Sequence, residues 1–151
     1  MGKLFGTTAV VIVLGVILQF FQPVKTNPIT DPALSVTQQT AVPGKVADLL
    51  QAACRDCHTN NTIWPLHSYI SPISWLVDYD VHEGRDRLNF SRWGEYESQR
   101  AWVLLDAVCS QLQNDRMPPK RYLLVHQEAR LSDSDKETIC KWTREAKEIY
   151  Q

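Results

Sequence analysis

We predict an all-α fold from three observations. Four stretches space their apolar residues as the buried face of a helix does, no stretch gives a convincing strand, and an uncharged apolar segment stands near the N-terminus. The length of 151 residues fits one domain of ordinary size. The 16 basic and 17 acidic side chains give a net charge of −1, which argues against a nucleic-acid-binding protein.

Residues 1–21 are predicted to form an N-terminal transmembrane anchor or an uncleaved signal. No charged residue lies between Lys3 and Lys25, and the apolar stretch over residues 4–21 nearly spans a hydrocarbon core of about 30 Å. A typical signal-peptide core is shorter, about 7–15 residues, and no A-x-A-like cleavage site follows. A cleaved signal peptide is the main alternative. The two lysines give no charge difference that would orient the helix.

Residues 22–44 are predicted to form a Pro/Thr-rich linker. The segment shows no helical or strand period and holds four of the eight prolines: Pro23, Pro28, Pro32 and Pro43. Such a composition is typical of a semi-extended tether that reaches roughly 60–70 Å. The remaining chain, residues 45–151, forms the predicted folded domain.

The first two helices of this domain are predicted over residues 44–57 and 71–87. The first places five apolar residues at helical spacing: Val46, Leu49, Leu50, Ala53 and Cys54. The second begins at Ser71-Pro72, which we interpret as a capping serine followed by proline at the first helical position.

The other two helices are predicted over residues 97–114 and from residue 132 to the C-terminus. The third carries one apolar side, formed by Trp102, Leu105, Val108, Cys109 and Leu112. The last starts at Ser132 with Asp135 at the capping-box position, and its inner face is predicted to be Ile139, Trp142, Ala146 and Ile149. Four short helices make a thin core, which a bound prosthetic group would help to fill.

The motif Cys54-Arg55-Asp56-Cys57-His58 is C-x-x-C-H, the attachment signature of c-type haem. Two thiols three positions apart can add to the two vinyl groups of one porphyrin, and the histidine after them becomes the proximal iron ligand. We therefore predict one covalent haem c on Cys54 and Cys57, with His58 as its proximal ligand, in a small domain of the c-type cytochrome kind.

Two other interpretations of C-x-x-C are weaker. A thioredoxin-like motif would follow a strand in a βαβ pattern, which is absent from the sequence. A structural zinc site needs two further ligands at close spacing, and no second C-x-x-C or H-x-x-x-H occurs. Because covalent haem is attached outside the bacterial cytoplasmic membrane, the motif predicts a single-pass protein whose haem domain faces the periplasm.

The distal iron ligand is predicted to be Met117. The chain has only two methionines, and Met1 is the initiator. Met117 precedes two prolines, which favour an extended backbone that would hold its thioether toward the iron. A gap-filling core methionine is the plain alternative. His67, His82 and His126 are other candidates, with His126 the strongest of them, and an open sixth position is the last.

Cys109 and Cys140 lie on neighbouring predicted helices and are left over by the motif. In an oxidising compartment they are candidates for a disulfide, and two separate buried thiols are the alternative.

The chain resembles the bacterial haem-binding domain family of small c-type proteins over roughly residues 46–142. The matching elements are the C-x-x-C-H motif with residues 59–62, then Trp64-Pro65, residues 68–76, Asp80-Val81, Gly84-Arg85, residues 88–93, residues 117–122, His126 and Leu131-Ser132. The resemblance implies haem binding through Cys54, Cys57 and His58, with Met117 as the distal ligand. It implies no particular reaction.

Trp64, Trp75 and Trp93 are large apolar side chains that either wall a porphyrin or fill the core. Arg85 and Arg87 either pair with haem propionates or lie on a solvated face with neighbouring acidic residues, and the solvated face is the better interpretation.

The leading functional prediction is a membrane-anchored monohaem c-type cytochrome that transfers single electrons on the periplasmic side. No catalytic constellation is found, so an electron carrier is favoured over an enzyme, and redox proteins are the expected partners. One alternative is a haem enzyme or sensor, peroxidase-like or gas-binding, whose sixth ligand exchanges. Another is a haem-bearing subunit of a membrane electron-transfer complex.

Overall fold

The computed structural model describes residues 2–150, and these residues form helices and 3₁₀ turns with no strand. The α-helices are α1 (Gly2–Gln19), α2 (Val36–Gln39), α3 (Gly44–Ala53), α4 (Arg55–His58), α5 (Ile73–Arg87), α6 (Ser98–Gln113) and α7 (Asp133–Lys147). Short 3₁₀ turns lie over Pro32–Leu34, Leu66–Tyr69, Phe90–Glu95, Tyr122–Leu124, Gln127–Ala129 and Glu148–Tyr150. The prediction of an all-α fold is confirmed.

The hydrophobic core lies where α3, α6 and α7 meet. Each of these helices is amphipathic, and the apolar faces close on one another around two fully buried tryptophans, Trp93 and Trp142. Val46 of α3, Leu105 of α6 and Ile139 of α7 are buried in the same cluster. Three of the four predicted helices therefore form one core.

A disulfide joins α6 to α7 within this half of the domain. The Sγ atoms of Cys109 and Cys140 are bonded, and the two Cα atoms lie 4.8 Å apart across a sequence separation of 31 residues. The two cysteines that remained outside the C-x-x-C-H motif are thus paired in the structure.

Helix α7 begins as its sequence predicts, whereas α5 does not. Ser132 Oγ accepts a hydrogen bond from Asp135 N, and Ser132 N donates to the Asp135 carboxylate, which completes a capping box. Helix α5 begins at Ile73, and Ser71, the predicted cap, does not cap it. The Ser71 hydroxyl instead donates to the carbonyl of Leu18.

Two residues predicted for the inner helix faces lie at the surface. Trp102 is 38% exposed and packs beneath the ammonium group of Lys147, and Ile149 is 56% exposed. Ile149 belongs to a 3₁₀ turn that follows α7, so the helical period that predicted its burial has already ended there.

Among the residues that the structure describes, no helix has both the length and the apolar character needed to cross a membrane. Helix α1 has 18 residues, which corresponds to a length of about 27 Å at the helical rise. The predicted transmembrane anchor is therefore unsupported.

The segment over residues 22–44 differs from the free tether that its composition predicts. It contains a 3₁₀ turn and α2, and Val36 of α2 belongs to the core. Asn27 Nδ2 donates to the carbonyl of Thr62, and the Arg85 guanidinium donates to the carbonyl of Thr26. Composition alone could not show these partners, because they lie far away in the sequence.

The disulfide predicts a measurable contribution to stability. Replacing Cys109 and Cys140 together by alanine should lower the free energy of unfolding by roughly 3–4 kcal/mol, since a closed loop of this length restricts the unfolded chain. Urea unfolding of the full chain measures the change, and reduction of the wild type should reproduce it. An intact mass equal to that of the fully reduced thiols would contradict the pairing.

Candidate functional site

The C-x-x-C-H motif lies at a break between two helices. Helix α3 ends at Ala53, and Cys54 leaves the helical conformation with φ −125° and ψ −29° before α4 begins. Cys54 and Cys57 are not bonded to each other and both are partly buried. Burial and the neighbouring Cys57 raise the pKa of Cys54 to about 12, and burial together with Asp80 and Asp56 raises that of Cys57 to about 12.

His58 is held in one orientation by two backbone carbonyls. Its Nδ1 lies 3.0 Å from Gly84 O and 3.0 Å from Leu88 O, at the end of α5. Because carbonyl oxygens only accept hydrogen bonds, Nδ1 carries the proton and Nε2 keeps its lone pair. Burial lowers the pKa of His58, which favours the neutral ring. This arrangement is typical of a metal-binding histidine.

Helices α4 and α5 approach each other closely at Gly84. A Cβ atom at this position would lie 2.4 Å from Cys57 O and 2.9 Å from Cys57 Cβ. The absence of a side chain therefore allows α5 to pack directly against the motif. It also brings the Gly84 carbonyl within hydrogen-bonding distance of His58.

Two adjoining cavities open beside Cys57. One, of about 190 Å³, is lined by residues that include His58 and Met117. The other, of about 340 Å³, has a mostly apolar lining that includes His67 and His126. Six residues line both cavities: Asp56, Cys57, Asp80, Pro119, Arg121 and Tyr122.

The structure separates the candidates for the distal ligand. Met117 lies in the cavity that also contains His58, and it packs partly against the core. His67 and His126 line the neighbouring cavity, with their ring centroids 6.4 Å apart. His82 points elsewhere, since its side chain is largely exposed and its Nδ1 contacts the carbonyl of Asp78.

The sequence reasoning did not identify Asp56 and Tyr122 as site residues. The buried Asp56 carboxylate accepts hydrogen bonds from the Arg55 guanidinium, from Ile63 N at 3.1 Å and from the Tyr122 hydroxyl at 2.9 Å. Burial and the Asp56 charge raise the pKa of Tyr122 above its usual value. The signal that could have shown Asp56 is an acidic residue inside the motif, although a variable position there carries little information by itself.

Arg85 has a structural role that neither sequence interpretation anticipated. Its guanidinium donates to Thr59 O, Thr62 Oγ1 and Asn27 Oδ1 at 2.8–2.9 Å, and so joins the segment after the motif to the N-terminal segment. Arg87 pairs with Glu83 on the surface, as the solvated-face interpretation predicts.

Trp93 is a core residue, and its ring stacks on Phe90, which contacts the His58 ring edge-on. The indole of Trp75 donates to the carbonyl of Phe21, two residues beyond the end of α1. Neither of the two cavities beside Cys57 is lined by Trp64, Trp75 or Trp93.

The geometry disfavours a thioredoxin-like role for the two cysteines. A thioredoxin-like cysteine needs a lowered thiol pKa, whereas both thiols here have raised values, and residues 2–150 contain no strand. Within the described part of the chain, no three His, Cys, Asp or Glu residues are grouped to hold a metal ion.

A family model described as a haem-binding domain matches residues 13–145 of this sequence. The chain belongs to the haem-binding domain family. This match covers most of the chain and confirms the resemblance that the motifs indicate.

Among curated proteins, the chain is similar to a cytochrome c peroxidase of Escherichia coli strain K12. The two are 30% identical over 111 residues, which is 68% of this chain and 23% of the relative. The chain therefore spans about a quarter of the length of the peroxidase that it matches. No solved structure matches the chain significantly.

The residues present fit the cofactor of this haem-binding domain. Two free thiols stand at the required spacing, the neutral imidazole of His58 is fixed by its Nδ1, and Met117 lines the same cavity. The close approach at Gly84 leaves no room for a side chain on this wall of the site.

Gly84 gives a testable prediction. Gly84→Ala should destabilise the protein by about 1–3 kcal/mol, because the new Cβ forces the backbones of α4 and α5 apart. Alanine ordinarily stabilises a helix relative to glycine, by about 1 kcal/mol. Urea unfolding and the haem content of the purified protein measure the effect.

Gly44→Ala is the matched control for this substitution. A Cβ at Gly44, the first residue of α3, meets no atom within 4 Å, so this variant should be neutral or slightly stabilised. Equal behaviour of the two alanine variants would show that the contact at Gly84 does not matter.

Proposed function

We propose that this protein is a monohaem c-type cytochrome that transfers single electrons. Cys54 and Cys57 bind one haem through thioether bonds, His58 is the proximal iron ligand and Met117 is the distal ligand. The observation that carries the proposal is the fixed imidazole of His58, which lines the same cavity as Met117. Haem binding by the family agrees with it.

When bound, haem supplies an iron that alternates between two oxidation states separated by one electron. The protein's own contribution is to bind and orient it. The Gly84 and Leu88 carbonyls hold the His58 ring, and their hydrogen bonds make its Nε2 a stronger donor. His58 and Met117 would together occupy the iron and would keep water and other small molecules from it. A carrier of this kind then undergoes little rearrangement on electron transfer.

A second candidate function is a haem enzyme or sensor with an exchangeable sixth ligand. The observation in its favour is the similarity to a quarter of a protein named cytochrome c peroxidase. His67, His126 and Tyr122 line the cavity next to Cys57 and could supply acid–base groups there. The candidate requires Met117 to leave the iron, or never to bind it.

We place the protein at the bacterial cytoplasmic membrane with its haem domain on the periplasmic side. Covalent haem attachment occurs on that side, and α1 offers an apolar surface for attachment. From Val10 to Ile17, every large apolar side chain of α1 is at least 47% exposed. The partners we propose are redox proteins, either diffusing proteins or components of a membrane electron-transfer complex.

Replacement of Met117 tests the ligand set. The oxidised wild type should show low-spin iron with the thioether-to-iron charge-transfer band. Met117→Ala should lose this band and should have a lower reduction potential, because an axial methionine raises the potential. His82→Ala is the control and should retain both properties, since His82 is exposed and lies outside the two cavities.

The same spectra separate the two candidate functions. A high-spin spectrum of the oxidised wild type would contradict the electron carrier and favour the enzyme or sensor. A low-spin wild type without the band would exclude Met117 as the ligand, and His67→Ala and His126→Ala would then identify the histidine that takes its place.

Membrane attachment can be tested by fractionation. The full chain should remain in the membrane fraction after an alkaline carbonate wash. A variant with Val11→Asp and Leu14→Asp should be released, because two carboxylates on the exposed apolar surface of α1 oppose its contact with lipid. Val24→Asp with Ile29→Asp is the control, since both positions are exposed outside α1 and this variant should stay bound. Release of the wild type by the wash would refute attachment through α1.

A further inference from the structure

Met117 lies in the segment between α6 and α7, residues 114–132, which we call the Met117 loop. At its start, Arg116 N donates to Gln111 O at 3.0 Å, which ties the loop to the end of α6. Beyond the two prolines, Tyr122 N donates to Pro119 O at 2.9 Å and begins a 3₁₀ turn. Met117 therefore lies between two short hydrogen-bonded turns, and its position depends on how these turns are attached to the domain.

We propose that Tyr122 is a positioning residue that keeps the Met117 loop closed over the haem site through its hydrogen bond to Asp56. This inference rests on the function proposed above, in which Met117 is an iron ligand. It adds a connection between the two sides of the site. Asp56 belongs to the attachment motif, whereas Tyr122 belongs to the loop that supplies the distal ligand.

The Asp56 carboxylate is well placed for this role because it is buried and both of its oxygens have partners. Oδ1 accepts from the Arg55 guanidinium and from Ile63 N, whereas Oδ2 accepts from the Tyr122 hydroxyl. The backbone of Asp56 is fixed as well, since Thr62 Oγ1 donates to its carbonyl at 2.6 Å. The acceptor is therefore part of a rigid segment.

Loss of the Tyr122 hydroxyl would leave Oδ2 of a buried carboxylate without the donor that it has in the structure. Hydrogen bonds to charged groups are stronger than those between neutral groups, and an unsatisfied buried acceptor is costly. The bond therefore favours the closed loop over any arrangement in which Tyr122 has moved away.

The aromatic ring of Tyr122 links this bond to the following residues. The ring stacks on His126, with centroids 4.2 Å apart and an interplanar angle of 17°. His126 N also donates to the carbonyl of Tyr122 at 3.1 Å. Residues 119–126 thus form one unit that is anchored to the motif at Asp56.

A second tie between the Met117 loop and the domain is more exposed. Arg121 Nε donates to Asp80 Oδ2 of α5 at 2.9 Å, and the Arg121 side chain is about half exposed. Ion pairs of this kind contribute little, because solvent screens them. Of these two polar contacts, we therefore assign the larger contribution to the Tyr122–Asp56 hydrogen bond.

Exogenous imidazole measures how readily the loop opens. Imidazole binds the iron of a methionine-ligated haem only when the methionine has left, so its apparent affinity reports the fraction of open loop. Tyr122→Phe removes one hydroxyl and keeps the ring. It should bind imidazole about tenfold more tightly than the wild type or better, because one charge-assisted hydrogen bond of the closed state is lost.

Tyr150→Phe is the matched control. The Tyr150 hydroxyl accepts a hydrogen bond from Trp93 Nε1 at 2.8 Å in the core, away from the Met117 loop. This variant also loses one hydroxyl and one hydrogen bond, but its imidazole affinity should stay within twofold of the wild type. General destabilisation would change the imidazole affinity of both variants equally, whereas loss of loop positioning should change it only in Tyr122→Phe.

Two further measurements extend the test, and the first of them does not depend on the iron ligand. Amide hydrogen exchange of the full chain should be faster over residues 116–126 in Tyr122→Phe than in Tyr150→Phe. Combining Tyr122→Phe with Asp56→Asn should give an effect on imidazole affinity smaller than the product of the two single effects, since both changes act on one hydrogen bond.

The outcomes separate this inference from the proposed function. A wild type without the thioether band contradicts Met117 as a ligand, and hydrogen exchange then decides whether Tyr122 closes the loop. Suppose instead that the wild type shows the band. If Tyr122→Phe then changes neither imidazole affinity nor hydrogen exchange, or if Tyr150→Phe changes them equally, the role of Tyr122 is contradicted and the proposed function is not.

Discussion

The site depends on the contact between the imidazole of His58 and the end of α5. The Gly84 carbonyl accepts both the hydrogen bond from Leu88 N that ends α5 and the Nδ1 proton of His58, and the Leu88 carbonyl just beyond the helix accepts the same proton. This contact requires α4 and α5 to touch, and they touch because residue 84 has no side chain. One backbone approach therefore fixes the ring, defines its tautomer and forms one wall of the cavity next to Cys57.

Stability and binding lie in different parts of this small domain. The core of α3, α6 and α7 contains the buried tryptophans and the Cys109–Cys140 disulfide. The site lies beside it, between α4, α5 and the Met117 loop, where the cavities are. The Met117 loop contacts both parts, since Met117 and Leu131 also pack against the core.

The N-terminal segment belongs to the folded structure more closely than its composition indicates. Arg85 donates hydrogen bonds to Thr26 and Asn27 and also to the residues that follow the motif. The segment around Thr26 and Asn27 is therefore bonded to α5 and does not extend away from the domain. If α1 attaches the protein to a membrane, the haem domain is held near that membrane and does not move at the end of a long tether.

The sequence by itself determined the helical fold, the capping box at Ser132 and the haem-binding motif, because helical spacing, caps and C-x-x-C-H are all local patterns. Cys109 and Cys140 could be proposed as a pair because only two cysteines remained. Only the tertiary structure decided that Ser71 turns toward Leu18, that Trp102 is at the surface and that Met117 shares a cavity with His58. It also revealed Tyr122 bonded to Asp56, 66 residues away. These features depend on which distant segments meet, and no local pattern of side chains specifies that.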